Sequence, residues 1–281
     1  MFRRSLLLLV VVSFAPCALA APVVTSGAGL AAATAARDSF RTTLGGGVVA
    51  GANGSFGGVR REINWDGVPD ALSAPSNLPA NFFNVNSPRG VVFSTPGSGF
   101  QVSGNAGVAP VRFDNINATY SATFVAFSAQ RLFTALGSTI VDVNFFVPGN
   151  VTPATVTGFG SIFTDVDNAS VTSIEYFDRN NVSLGSFFVP PANADVSFLG
   201  VAFNAGEQIA RVRITSGNAA LGPSDAPATT DVVVMDDFLY SEPREPVFLI
   251  PSLSTWGVLL LGTLLALAGI MRVRSTRGQR R

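Results

Sequence analysis

The feature that most constrains this chain is a succession of short β-type runs between Phe40 and Tyr240, broken by turn residues roughly every 8–12 positions. Residues 210–215 (ARVRIT) show the pattern best. Val212 and Ile214 fall on one face of an extended backbone, and Arg211 and Arg213 on the other. Further strand-like runs lie at 90–95 (GVVFST), 118–127 (ATYSATFVAF), 138–147 (STIVDVNFFV) and 173–178 (SIEYFD). The series continues at 183–189 (SLGSFFV), 196–203 (VSFLGVAF) and 231–240 (DVVVMDDFLY). Residues 177–185 place Asp-Arg-Asn-Asn between two such runs, a hairpin signal. No body segment has the period of a long amphipathic helix; the nearest, 128–136 (SAQRLFTAL), reads as one short turn or a bulged strand. The expected class is all-β: a single jelly-roll-like β-sandwich of the galactose-binding or lectin-like kind over residues 36–243. Two packed sheets have two inner faces to fill, and most of the 23 phenylalanines belong there.

Composition removes several chemistries. The chain has no histidine and no lysine, and its single cysteine is Cys17. Ser-His-Asp and Cys-His nucleophiles, lysine Schiff bases and Cys/His zinc sites therefore have no members to build from. The formal net charge of zero conceals an asymmetry. Residues 37–245 hold eleven arginines against all 18 acids, a net of −7, while the remaining arginines sit at the two ends. With no basic stripe to displace phosphate counterions, no nucleic-acid partner is expected.

The ends carry targeting features. Arg3 and Arg4, the apolar run 6–12 and small residues at Ala18 and Ala20 make residues 1–20 a signal peptide with a signal helix. Signal peptidase would leave Ala21 as the first mature residue. Cys17 lies inside this segment, and the preceding FAP fits lipidation poorly. Residues 21–35 are small and uncharged, and read as a flexible leader or one edge strand. Residues 244–249 read as a spacer. Then come IPSLSTWG (250–257), an apolar run to about residue 271, and an arginine-rich tail over 272–281.

This tripartite end, with Ile250, Pro251, Ser252, Leu253, Trp256 and Gly257 as its motif, resembles the IPTL-CTERM protein-sorting signal of Gram-negative bacteria. Ser252 stands where the family name has threonine. The resemblance implies an inner-membrane intermediate held by a transmembrane helix at about 256–271, with Arg272 and Arg274 stopping transfer at the cytoplasmic face. An exosortase-type sorting protease would then cut near the motif and pass the body to the cell surface. The apolar run spans roughly 24 Å at 1.5 Å per residue, short for a hydrocarbon core of ~30 Å. Segments from Glu62 to Tyr240 (INWDGVPDA, VDVNFFVPG and GFGSIFTDVDNA among them) resemble a family of secreted bacterial proteins with such tails. That likeness implies an exported β-domain and no particular chemistry.

Within the body the acids are the candidates for chemistry. Asp165 and Asp167, spaced i, i+2 with Asn168 beside them, suit a Ca²⁺ loop that Asp236 or Asp237 closes from a facing strand. Asp66 beside Trp65 in NWDG is the most glycosidase-like local pattern. Its competing and favoured reading is a turn, with Gly67 supplying positive φ. Phe82 and Phe83 offer a sugar-stacking pair or, more simply, core. The expected role is non-enzymatic, structural or binding. A carbohydrate-binding module for extracellular polysaccharide is the alternative, and a carboxylate-dependent glycoside hydrolase a more distant one.

Overall fold

The computed structural model describes residues 21–47, 55–56, 59–105, 107–246 and 255–278. The chain divides into two units, Met1–Pro246 and Val247–Arg281. The signal segment, with Cys17, Ala18 and Ala20, and motif residues Ile250, Pro251, Ser252 and Leu253 lie outside the described residues.

In chain order the strands of the first unit begin with β1 (Val23–Ala28), β2 (Ser55–Phe56), β3 (Arg60–Ile63), β4 (Val91–Ser94), β5 (Gly99–Val102) and β6 (Phe133–Leu136). They continue with β7 (Ile140–Phe145), β8 (Gly158–Val166), β9 (Ser173–Phe177), β10 (Ser183–Phe188), β11 (Ala192–Ala202), β12 (Arg211–Thr215) and β13 (Val234–Ser241). They form two antiparallel sheets. The larger has eight strands in the order β1-β11-β8-β13-β3-β2, with β6 joining β13 and β5 joining β6. The smaller has the order β10-β9-β12-β7-β4.

One core lies between the sheets. Val91, Phe93, Val143, Val212 and Ile214 of the smaller sheet meet Phe159, Phe163, Leu199, Phe238 and Tyr240 of the larger. Trp65 sits within this core, stacked on Phe133 at 4.0 Å between ring centroids and edge-on to Phe238 at 5.0 Å. Alternation works as expected in β12: Val212 and Ile214 are buried, while Arg211 and Arg213 project outward and both bind Asp142.

The larger sheet is covered on its second face as well. Helix α1 (Leu30–Leu44) presents Ala33, Ala36, Phe40 and Leu44 to Ile162, Phe198, Ala202 and Leu239. A third cluster packs Phe113, Tyr120, Phe124 and Leu132 against Val232 and Val234. Every residue of β8 and β13 is consequently buried. A strand covered on both faces loses polar–apolar alternation, and this is why GFGSIFTDV shows no strand period.

Residues 21–35, expected to be a flexible leader or an edge strand, form edge strand β1, paired with β11 from Val23↔Ala202 to Ala28↔Ser197, and the start of α1. The helix was not expected. Its five alanines favour helix but give only a weak hydrophobic stripe. It stops at Gly45, whose positive φ of 95° glycine adopts at no steric cost. Beneath it, Gly160 and Gly200 pair across β8 and β11. A Cβ on Gly200 would come within 2.8 Å of the Phe40 ring, so the helix can lie this close only over glycine.

The end of α1 is fastened by buried charge. Arg41 Nη2 donates to Glu62 Oε2 at 2.6 Å and Arg60 Nε donates to Glu62 Oε1 at 2.7 Å. Arg60 Nη1 also donates to the carbonyls of Gly45 and Gly47 at 2.7 and 2.6 Å. Arg60 Nη1 also reaches the Arg41 carbonyl in the last turn at 3.5 Å, and a cation there complements the helix dipole.

Residues 118–127, expected as strand, instead contain the turn of helix α3 (Tyr120–Thr123), which follows α2 (Phe82–Val85) in chain order. Asn117 Oδ1 accepts the Thr119 N–H and hydroxyl, a local bond that turns the chain, and the apolar residues fill the third cluster. Of 128–136, only 133–136 is extended, as β6.

The second unit is helix α4 (Thr255–Gly278), which contains Trp256 and Gly257 and carries Arg272 and Arg274 towards its end. Among the described residues no helix is long and apolar enough to cross a membrane.

Candidate functional site

The antiparallel register decides which acids meet. Val234 of β13 pairs with Thr164 of β8, so the end of β8 and the approach to β13 lie side by side. Strand β11 begins there too, with a register shift between Ala192 and Val196 opposite the end of β8. Into this corner come Asp165 and Asp167 from β8 and its exit, and Asp225 and Asp231 from the loop before β13. That loop is closed by the Ala226↔Thr230 bridge.

Asp165, Asp167 and Asp225 each place a carboxylate oxygen within 4.8 Å of the other two. Asp165, whose backbone takes a left-handed φ of 68°, is 2 % exposed. Its Oδ1 accepts the Ala194 N–H at 2.7 Å, and its Oδ2 is shielded from solvent with no hydrogen-bond partner. Both oxygens of Asp167 are likewise shielded and unpartnered. The Asn193 amide comes near enough to ease this charge without reaching bonding geometry. Asp225 Oδ1 accepts the Val232 N–H at 3.1 Å. Asp231 accepts the N–H groups of Asp167 and Asn168 at 3.4 and 3.2 Å and so shapes the turn that presents Asp167. Burial, with repulsion from Asp225, Asp167 and Asp231, pushes Asp165 up to about 7. Burial with Asp225 and Asp231 pushes Asp167 up to about 6.

The structure thus brings together two of the acids expected to share a site, and corrects the remainder. Asn168 spends its amide N–H on the Pro227 carbonyl at 2.8 Å. Asp236 and Asp237 do not close the cluster; they belong to a different buried group. Asp236 Oδ2 accepts the N–H groups of Phe127 and Ser128 at 2.7 and 3.2 Å, its Oδ1 accepts the Ser128 hydroxyl, and its carbonyl accepts the Trp65 indole N–H. Burial and Asp237 hold the Asp236 carboxyl well above the usual carboxylate range. Burial also pushes Asp237 up to about 6, against the pull of Ser128, Asp236 and Arg37. Asp236 anchors the 127–128 loop to β13.

The members that sequence reasoning missed, Asp225 and Asp231, lie far along the chain from Asp165, and only the β8–β13 pairing joins them. The one local signal was two aspartates flanking a short loop, APATT.

The sugar-type candidates are placed differently. Trp65 is 1 % exposed, so its ring is part of the core and offers no face to a sugar. NWDG is a turn, with Val68 N–H donating to the Trp65 carbonyl at 2.9 Å, but the positive φ of 66° falls on Trp65 and not on Gly67. Asp66 Oδ1 accepts the Arg131 N–H and Oδ2 the Asn64 amide, and burial raises its pKa. Phe82 and Phe83 are both buried. They line, with Trp65 and Arg89, a cavity of about 120 Å³. Glu175 accepts the Ser183 hydroxyl across the β9–β10 hairpin, and Asp178 caps its turn by accepting the N–H groups of Asn180 and Val182.

No curated protein and no solved structure gives a match to the chain. One family does: residues 250–281 match the family described as the IPTL-CTERM motif, and the chain thus ends in a segment with the character of a C-terminal sorting signal.

Proposed function

We propose that the protein is exported across the inner membrane of a Gram-negative bacterium and delivered to the cell surface through residues 250–281. Its β-domain acts there in a structural or binding role without catalysis. The match of residues 250–281 to the IPTL-CTERM motif carries the reading. In it, signal peptidase removes residues 1–20 and α4 seats the intermediate in the membrane. An apolar stretch of roughly 24 Å, thinner than the ~30 Å hydrocarbon core, inserts only with local bilayer thinning, which suits a temporary anchor better than a permanent one. Arg272 and Arg274 stay at the cytoplasmic face. A sorting protease of the exosortase type then cuts near Ile250–Gly257 and releases the body.

The non-catalytic role draws support from the acids themselves. Asp66, Asp236 and Asp178 are committed to backbone N–H groups. The aromatics proposed to meet sugar are packed into the core.

Mass spectrometry of the cell-surface fraction tests the proposal. The expected mature form begins at Ala21 and ends close to the motif. A surface form that retains Arg281 would overturn it.

A further inference from the structure

The corner between β8 and β13 holds four aspartates, and among the described residues none of them forms an ion pair. Surface acids crowd together often, and water then solvates them. Here it cannot, because Asp165 Oδ2 and both oxygens of Asp167 are shielded from solvent and accept no hydrogen bond. A buried carboxylate oxygen left without a partner is strongly unfavourable, and three in one corner favour a common positive partner. Among the described residues no salt bridge supplies one.

We propose that Asp165, Asp167 and Asp225 bind a calcium ion, with Asp231 positioning the turn that presents Asp167. The donors are all hard carboxylate oxygens, which select calcium or magnesium over metals that prefer nitrogen or sulfur. Their mutual distances, all within 4.8 Å, fit oxygens around a calcium ion, whose bonds of ~2.3–2.6 Å place opposite ligands ~4.6–5.2 Å apart. Magnesium, at ~2.0–2.1 Å, requires a tighter and more regular shell. The ion joins the exit of β8 to the loop before β13, two segments also linked by the Asp231 hydrogen bonds and by the Asn168 amide on the Pro227 carbonyl. The irregular start of β11 is held to the same point through the Ala194 N–H on Asp165. The site is a clamp across one end of the sandwich.

The test uses the full chain in detergent at pH 8, first stripped with a chelator and then titrated calorimetrically with CaCl₂ or MgCl₂. Thermal unfolding is followed in parallel. One calcium binds per chain with a dissociation constant on the order of 10⁻⁴ M, the tight end of the extracellular range. At a hundredfold excess over that constant the unfolding midpoint rises by roughly 5–10 °C. Asp165→Asn and Asp225→Asn each weaken binding at least tenfold. Without calcium, the Asp225→Asn protein unfolds no earlier than the parent, because the amide removes one of the crowded charges. Asp225 is partly exposed, so its variant decides the matter if Asp165→Asn does not fold. The proposal is overturned by absence of heat and shift in the parent, by an unchanged response in Asp225→Asn, or by an equal response to magnesium.

Discussion

Phe40→Ala tests whether α1 is an integral layer of the fold. The Phe40 ring is fully buried, packs on Phe198 at 5.6 Å between centroids, and lies directly over Gly200. Truncations of buried phenylalanine cost about 3–5 kcal/mol, and the amount depends on how far the surroundings collapse into the void. Collapse is limited directly beneath the ring, where Gly200 has no side chain to relax upward. The cost should therefore fall in the upper half of the range, about 4–5 kcal/mol. At about 2–4 °C per kcal/mol for a domain of this size, the unfolding midpoint drops by about 8–20 °C. Urea unfolding of parent and variant, followed by far-UV circular dichroism, gives the number directly. A loss below about 1 kcal/mol would refute the packing argument, and would mean that α1 can leave the sheet without disturbing it.

Glu62→Ala leaves Arg41 and Arg60 without their shared buried carboxylate; the loss expected for breaking such a group is about 3–5 kcal/mol by urea unfolding. Asp237, at about 6 when folded against about 3.9 in an unfolded chain, gives stability that is complete below pH ~4 and lost as pH rises through 6. Asp237→Asn keeps the neutral form and should make the fall between pH 4 and 7 shallower; the difference between parent and variant at each pH separates this carboxyl from Asp165 and Asp167. On the outer face of the smaller sheet burial alone would raise the Asp142 pKa, but Arg213 and Arg211 outweigh it and hold it low. Because Arg213 is 42 % exposed, Asp142→Asn should cost under about 1 kcal/mol, and less in high salt.

Strands with one wet face could be read directly. In β12 and in the β9–β10 hairpin, alternation and the Asp-Arg-Asn-Asn turn carry the whole signal, and the structure follows them. Where both faces are covered the signal disappears: β8 is buried along its length and reads as an undifferentiated run. Helix α1 escaped for the opposite reason, since its sheet-facing side is two alanines, a phenylalanine and a leucine, too small a contrast to register as a stripe. The run at 118–127 had strand composition, but Asn117 sets a local turn that composition does not weigh. At the acidic corner, Asp165 and Asp167 were visible through their spacing. Asp225 was not, because strand order is a property of the whole sheet and leaves no trace in local sequence.

The pairing of β1 with β11 has a consequence for the order of events during secretion. In the proposed export pathway Val23 would leave the membrane early, yet its partner Ala202 would follow only after most of the body has passed. The same delay applies to Arg61, whose carboxylate partner Glu242 is 181 residues away. Strand β1 and the inner side of β3 must therefore wait, unpaired, for β11 and β13. A chain of this topology gains from being tethered by its last residues while the early ones find late partners, since the tether keeps it from neighbouring copies with equally open edges. In the proposed pathway the tail that is finally discarded would thus serve first as a folding restraint, and cutting before β13 has docked would release a sticky, half-zipped sheet.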